Sequence, residues 1–468
     1  MITMNTNQSA AEYVAALIQR ARTAQEVANT FTQEKADKLT AAMTWAIVKP
    51  DNSAKISQLT VEESALGYYD AKYVKLQKKV RGTYRDMKYA KTAGVIEIDE
   101  EKGLMKLAKP VGVVGAVVPC TNPEATPVIN ALCAVKCRNA IVFSPHPRTK
   151  KTNYLICEIM RDVLKRHGAP EDLIISIEEP TIEISQELMK QCDLVIATGG
   201  GGLVKSAYSS GTPAYGVGAG NAVSIIDEDA DIPDAARKIM QGKTFDYSTS
   251  CSSENSVIIL SSIYDKAMEA LKAEGGYLCN AEEKEKLQKT MFPDGSHLNT
   301  KLTAQAPGVI AAAAGINIPE NVKFFMVEET GIGKGYPFSD EKLSVILTVY
   351  RKDTFSEAVD TINQIHEFKG KGHSCGVHTF NEEHILELAQ KTFTSRIMIR
   401  QAICYGNSGD WINGMPFTLS LGCGTWGGNM SSENITYKHF MNTTWVSSPI
   451  PECIPDDKEL FGEEIMAE

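Results

Sequence analysis

The sequence predicts an α/β protein built on two doubly wound parallel sheets, with a small additional β element. Three observations predict it. From residue 111 to about 198, short apolar runs alternate with helix-spaced segments, the pattern of a parallel sheet covered by helices on both faces. A second α/β alternation runs from about 235 to 422. Between 94 and 108, two stretches of alternating polar and apolar residues flank an acidic turn, which reads as an antiparallel hairpin.

Along the chain, Val14, Leu17 and Ile18, then Ala41, Trp45 and Val48, recur at helix spacing, so the first ninety residues read as helical. Gly94-Val-Ile-Glu-Ile-Asp and Gly103-Leu-Met-Lys-Leu-Ala form the hairpin around Asp99-Glu-Glu-Lys. Val111-Gly-Val-Val-Gly-Ala-Val-Val-Pro is an apolar strand. A helix around 129–137, a strand from Ala140, a helix around 153–166, the strand Leu173-Ile-Ile-Ser-Ile, a helix near 182–190 and the strand Leu194-Val-Ile-Ala-Thr follow. The second block contains Ser256-Val-Ile-Ile-Leu, a helix near 264–273 and Leu343-Ser-Val-Ile-Leu-Thr-Val-Tyr, and the chain closes in a proline-punctuated acidic tail.

With 468 residues and roughly 150 per domain, about three structural units are expected. The formal charge of −10 argues against a nucleic-acid binder, which needs a basic field for phosphate contacts, and against an anionic membrane surface. No stretch approaches the ~18 apolar residues of a membrane span. The start, MITMNTNQSAAEYVAAL, lacks the basic and apolar regions of a signal peptide. The 11 cysteines are scattered, so a cytoplasmic protein with reduced thiols is expected. Cys133 and Cys137 lie one helical turn apart without a matching Cys/His pair, which favours two buried helix side chains over zinc; no metal is expected.

Four stretches could carry chemistry. In Phe245-Asp-Tyr-Ser-Thr-Ser-Cys251, a cysteine among small polar residues could attack a carbonyl carbon, or be a structural thiol. Asn122, in Pro119-Cys-Thr-Asn-Pro at a strand end, could aim its amide at a developing oxyanion, or serve a turn. Gly199 to Gly202, between a strand and a helix, could cradle a phosphate. Ser144-Pro-His-Pro-Arg148, with Lys150 and Lys151, could do the same or be a solvated loop.

In this order, these stretches resemble the aldehyde dehydrogenase superfamily, most closely its coenzyme A-acylating branch. The resemblance covers roughly residues 10 to 448. It is carried by Ala108-Lys-Pro-Val-Gly-Val-Val-Gly-Ala, Ser144-Pro-His-Pro-Arg, Ser206-Ala-Tyr-Ser-Ser-Gly, the Cys251 segment, Glu341-Lys-Leu-Ser and Leu421-Gly-Cys-Gly-Thr-Trp-Gly-Gly-Asn. It implies Cys251 as nucleophile, with Asn122 and the Cys251 backbone N–H as the oxyanion hole. It implies Glu341 on the nicotinamide ribose, Thr198, Gly199 and Gly200 under the pyrophosphate, Ser144, His146, Pro147 and Arg148 on the adenosine side, and Gly218 against the cofactor. The division expected is a dinucleotide-binding unit over 1–232 with the hairpin, a catalytic unit over 233–425, and a bridging strand and acidic tail over 426–468. The hairpin and 435–445 resemble the elements through which the family forms dimers and tetramers, so a homodimer or homotetramer is expected.

One departure is informative. Hydrolytic relatives carry a water-activating glutamate in the glycine-rich segment before the nucleophile. Here that segment is Tyr215-Gly-Val-Gly-Ala-Gly-Asn-Ala, and no acid occurs between Lys205 and Asp227. Without a base, water is a poor nucleophile, whereas the CoA thiol is a good one. The expected reaction is reversible oxidation of a short aldehyde to acyl-CoA with NADP or NAD. The adenosine-side loop offers His146, Pro147 and Arg148 and no acid, which leans towards NADP. Arg400, where the family more often has Asn, points to an anionic aldehyde, sulfoacetaldehyde first, and Gln401 and Thr121 are expected beside it against the substrate. Succinate semialdehyde, a plain short aldehyde, or a hydrolytic enzyme are the alternatives, and Arg400 could instead pair with Asp410. His373 could line the site or be structural.

Overall fold

The computed structural model describes residues 8–468; the first seven, part of the segment inspected for a targeting leader, lie outside the described residues. Four helices open the chain: α1 (Ala10–Ala28), α2 (Gln33–Val48), α3 (Pro50–Ser64) and α4 (Tyr69–Met87). Ser9 and Glu12 form a reciprocal capping box at the start of α1, which satisfies two backbone donors there.

The hairpin is β1 (Gly94–Asp99) and β2 (Leu104–Pro110), antiparallel as expected. Then come β3 (Val113–Val118), α5 (Thr126–Lys136), β4 (Ala140–Pro145), α6 (Lys150–Arg166), β5 (Ile174–Ser176), α7 (Ile182–Gln191), β6 (Leu194–Thr198), α8 (Gly201–Tyr208) and β7 (Ala214–Val217). These strands form a five-stranded parallel sheet in the order β5-β4-β3-β6-β7. The strands β8 (Ala222–Ile226), β9 (Glu254–Leu260), β10 (Gly276–Leu278), β11 (Phe324–Glu328), β12 (Ile346–Lys352), β13 (Cys375–His378) and β14 (Ile397–Ile399) form a second parallel sheet, ordered β10-β11-β12-β9-β8-β13-β14. β15 (Met441–Ser447) returns to pair antiparallel with β2.

Each large sheet has its own apolar core. β4 and β9 are buried along their whole length, which is why residues 140–143 and 257–260 read as continuous apolar runs. Cys133 and Cys137 are buried in and just after α5. One boundary differs from the expectation. β8 pairs with β9 and β13, so the second sheet begins by residue 222, before the expected division at 232. Among the described residues no helix is long and apolar enough to cross a membrane.

The topology places the site. In the first sheet the strand order reverses at β3, with β4 on one side and β6 on the other. Open α/β sheets bind ligands beyond the carboxyl ends of their strands at such a point. Asn122 follows β3, His146 follows β4, and Gly199 follows β6. From the second sheet, Cys251 precedes β9, Glu341 precedes β12 and His373 precedes β13. The carboxyl edge of one sheet therefore faces the amino edge of the other.

Candidate active site

Between the two edges lies a cavity of about 650 Å³. Cys251, Asn122 and Thr121 line it together with Glu341 and Gly218. Thr198, Gly199 and Gly200 form another part of the wall, and His146 and Pro147 a third. Most of the residues singled out in the sequence thus meet in one place.

Cys251 Sγ lies 3.3 Å from His373 Nε2. His373 Nδ1 is 2.7 Å from Ser374 Oγ, which also accepts from Asn407 Nδ2 at 3.0 Å. With Nδ1 donating to Ser374, Nε2 is free to accept the thiol proton. Burial, followed by the nearby Glu341 and Cys423, pushes the Cys251 thiol up to about 12. Burial and the Arg396 guanidinium bring His373 down to about 3. Both shifts favour a neutral thiol beside a neutral imidazole. Arg396 donates to the carbonyls of His373 and Gly422, at 3.2 and 2.5 Å, which ties the Leu421–Asn429 motif to the cysteine's partner.

Asn122 is almost fully buried, and its Oδ1 accepts from Lys75 Nζ at 2.8 Å. This fixes the amide orientation; one N–H donates to Thr121 Oγ1 at 3.4 Å, and the other is left for the cavity side. Lys75 and Lys72, one turn apart on α4, both pair with Asp246 Oδ2, at 2.6 and 2.8 Å. Lys75 also lies 3.1 Å from Glu124. Burial works against the Lys75 charge, but Asp246 and Glu124 outweigh it and hold its pKa above the ordinary lysine value. Asp246 also accepts from Thr249 Oγ1 at 2.5 Å and from the Tyr68 N–H at 3.2 Å. It anchors a turn in which Asp246, Tyr247 and Ser248 take φ of 53°, 48° and 67°, a conformation that costs non-glycine residues free energy. The turn delivers the chain to Cys251.

Asp246→Asn should therefore destabilise the protein by about 3–5 kcal/mol, because two buried ammonium groups lose a shared carboxylate. Urea unfolding against wild type measures it. Burial opposes ionisation of Asp246, yet Lys72 and Lys75 hold its pKa below the usual 3.8. Its contribution is full above the unfolded value and is lost as pH falls through the depressed native one. The gap between variant and wild type should close in acid.

Gly220 shows why the glycine-rich segment is small. A Cβ there would stand 1.9 Å from the Cys251 carbonyl oxygen. Its N–H donates to Glu341 Oε1 at 3.2 Å. Burial raises the Glu341 carboxyl to about 7. Glu341 is the only carboxylate residue among the described residues lining the cavity.

The walls suit a nicotinamide dinucleotide. Gly200 caps α8, and side chains are missing at Gly200, Gly201 and Gly202, where a Cβ would meet nothing. The first N–H groups of that helix are thus open to a diphosphate. Glu341 stands at the Cys251 end, where ribose hydroxyls would meet it.

Four expected residues are placed elsewhere. Ser144 is fully buried beneath the cavity and shares a hydrogen bond with Ser185, which lines it. The Arg148 guanidinium turns back to the Ser64 carbonyl, and Lys150 pairs with Glu179. The Arg148 side chain is thus turned away from the cavity, while His146 and Pro147 line it and Glu179 does not. Arg400 follows β14 at its carboxyl end, opposite to the edge carrying Cys251. Its guanidinium donates to the Thr379 carbonyl at 2.6 Å and covers the Phe380 ring. Gln401 accepts from Asn413, and neither residue lines the cavity. Asp410 pairs with Lys78, not with Arg400.

Sequence reasoning missed the lysines of α4. Lys72, Lys75, Lys78 and Lys79 recur at helix spacing, a visible signal, but such spacing ordinarily marks a solvated face.

The cleft thus gathers a thiol, a buried amide and a glycine-floored helix start, and comparison with known proteins gives the class to which they belong. The aldehyde dehydrogenase family model matches residues 2–288. The chain belongs to the aldehyde dehydrogenase family. Several of its relatives are named as acylating or acetylating enzymes. It is 47% identical to a sulfoacetaldehyde dehydrogenase of Acholeplasma sp, over 95% of this chain and 93% of the relative. It is 44% identical to the acylating sulfoacetaldehyde dehydrogenase of Bilophila wadsworthia, over 95% and 96%. Among solved structures, an acetylating aldehyde dehydrogenase from Geobacillus thermoglucosidasius superposes with a TM-score of 0.92 at 40% identity, over 96% of this chain and 98% of that one. A propionaldehyde dehydrogenase from Rhodopseudomonas palustris, solved with bound CoA and an acylated cysteine, superposes at 0.84 with 25% identity, over 93% and 97%.

Proposed function

We propose that this protein oxidises a short anionic aldehyde, sulfoacetaldehyde first, to its coenzyme A thioester with reduction of NAD(P). The observation that carries the reading is the Cys251–His373 contact inside a cavity shared with Asn122 and the open start of α8. Cys251 Sγ bonds to the aldehyde carbon while its proton passes to His373 Nε2. The oxyanion so formed is held by the Asn122 amide, with Lys75 fixing that amide from behind. When bound, the nicotinamide supplies the acceptor for the hydride leaving that carbon. What remains on Cys251 is a thioester, and His373 gives the proton it took to solvent, the proton released with each reduced nicotinamide. The CoA sulfur then bonds to the acyl carbon, the bond to Cys251 breaks, and the CoA thiol proton restores the neutral cysteine. One thioester replaces another, so the reaction is reversible.

Glu341 favours a second reading. A carboxylate near pH 7 in its titration, lining the cavity, has the basicity to activate water, and a hydrolytic enzyme would need no CoA. Its bond to the Gly220 N–H and the acid-free segment 206–226 support the acylating reading instead.

Nicotinamide reduction is followed with sulfoacetaldehyde, succinate semialdehyde, acetaldehyde and butyraldehyde, each with NAD or NADP and with or without CoA. The expected result is turnover that requires CoA and is fastest with an anionic aldehyde. Sustained turnover without CoA would select the hydrolytic reading.

The first sheet is read as the cofactor-binding unit and the second as the catalytic one. The free edge strand β15, with Trp445 and Val446 exposed, supports assembly into a homodimer or homotetramer. Eleven unpaired cysteines support a reducing, cytoplasmic setting.

A further inference from the structure

A second cavity, of about 130 Å³, shares Asn122 with the first and reaches Ser250, the residue before Cys251. Lys75, Lys78 and Lys79 of α4 form one wall, and Tyr405 and Ser408 face them. The three lysines differ in what balances them. Lys75 has Asp246 and Glu124. Lys78 has Asp410, at 2.7 Å, and lies over the Tyr405 ring. Lys79 has no carboxylate within ion-pair distance among the described residues. Its ammonium is buried and donates only to neutral oxygens: Ser408 Oγ at 2.6 Å, the Gly409 carbonyl at 2.7 Å, the Ser408 carbonyl at 3.2 Å and the Tyr405 carbonyl at 3.4 Å. Phe417 covers it from another side.

An ammonium buried among neutral partners is unfavourable unless an anion joins it. Burial, followed by the neighbouring Lys78, lowers the Lys79 pKa to about 7, despite Cys404 and Asp410 nearby. Asp246 and Glu124 are also shared with Lys72 and Asp410 is taken by Lys78, so Lys79 is left without a carboxylate of its own beside Asn122.

We infer that this cavity receives the anionic end of the aldehyde, with Lys79 as its ion partner and Lys78 as a second donor. The inference rests on the reading above that Cys251 and Asn122 act on an aldehyde, and it names the residues that select an anionic one. A sulfonate or carboxylate would accept from Lys79 where only neutral oxygens do now, while the carbonyl two carbons away in sulfoacetaldehyde lies towards Asn122 and Cys251. The selectivity that local sequence assigns to Arg400 belongs to α4.

The test is the ratio of kcat/KM for the preferred anionic aldehyde to that for acetaldehyde, with CoA and NAD(P) saturating. Lys79→Met should lower this ratio by about 100-fold, the scale for losing one partner of a buried charge pair. Lys78→Met should lower it by about 10-fold. Ethanesulfonate should inhibit acetaldehyde oxidation competitively in wild type and at least about 10-fold more weakly in Lys78→Met, a measurement that stands even if Lys79→Met fails to fold. A wild-type preference for anionic aldehydes with ratios and inhibition unmoved in the variants would overturn the lysine assignment alone. A wild type that oxidises only neutral aldehydes would overturn the substrate proposal with it.

Discussion

Cys251→Ala should lower NAD(P)H formation by about 10⁴-fold or more, the scale seen when a catalytic nucleophile is removed. No other cysteine can replace it. Cys423 is the nearest in electrostatic effect, but it is buried and its sulfur is engaged with the Leu421 carbonyl. Cys120 lines the cavity as well, but among the described residues its sulfur has no counterpart to the His373 contact that Cys251 makes. The side chain lost is small, so the fold should survive. Binding of NAD(P), read by quenching of tryptophan fluorescence, should be retained and separates loss of chemistry from loss of structure. A variant within 10-fold of wild type would remove Cys251 from the mechanism.

Asn122→Ala should cost about 10²–10³ in kcat, the usual scale for one oxyanion donor. The effect should appear in both half-reactions, because formation of the thioester and its transfer to CoA each pass through an oxyanion on the same carbon. Asn122→Asp should be at least as damaging. The new carboxylate would still accept from Lys75, but it would present an acceptor where a donor is needed. Single-turnover measurements of hydride transfer and of acyl transfer to CoA check both claims. An effect confined to KM would mean that Asn122 binds substrate without stabilising the oxyanion.

Local pattern made much of the fold legible. β3, β4 and β6 announced themselves as apolar runs because helices cover both faces of their sheet. β1 and β2 alternated because they lie outside those layers. The membership of β8 was not legible. Only residues 218–221 separate it from β7, yet its partners β9 and β13 come from later in the chain, and strand pairing over such separations leaves no local mark. The same limit explains Arg400. Its segment reads as part of the site, but the direction of β14 carries its side chain to the opposite edge. The lysines of α4 illustrate the reverse case. Their spacing suggested a wet face because Asp246, which buries Lys72 and Lys75, lies more than 170 residues away. Cys251, Asn122, Glu341 and the Gly199–Gly200 turn were legible because each sits at a strand end, where motif and topology coincide.

The central claim is that the acyl group waits on Cys251 for a thiol rather than for water. Enzyme mixed with sulfoacetaldehyde and NAD(P) in the absence of CoA tests it directly, with reduced nicotinamide and intact protein mass followed together. The account expects a burst of about one reduced nicotinamide per chain, then arrest, an acyl adduct on Cys251, and its release on adding CoA. Steady turnover without CoA, with no adduct accumulating, would contradict it.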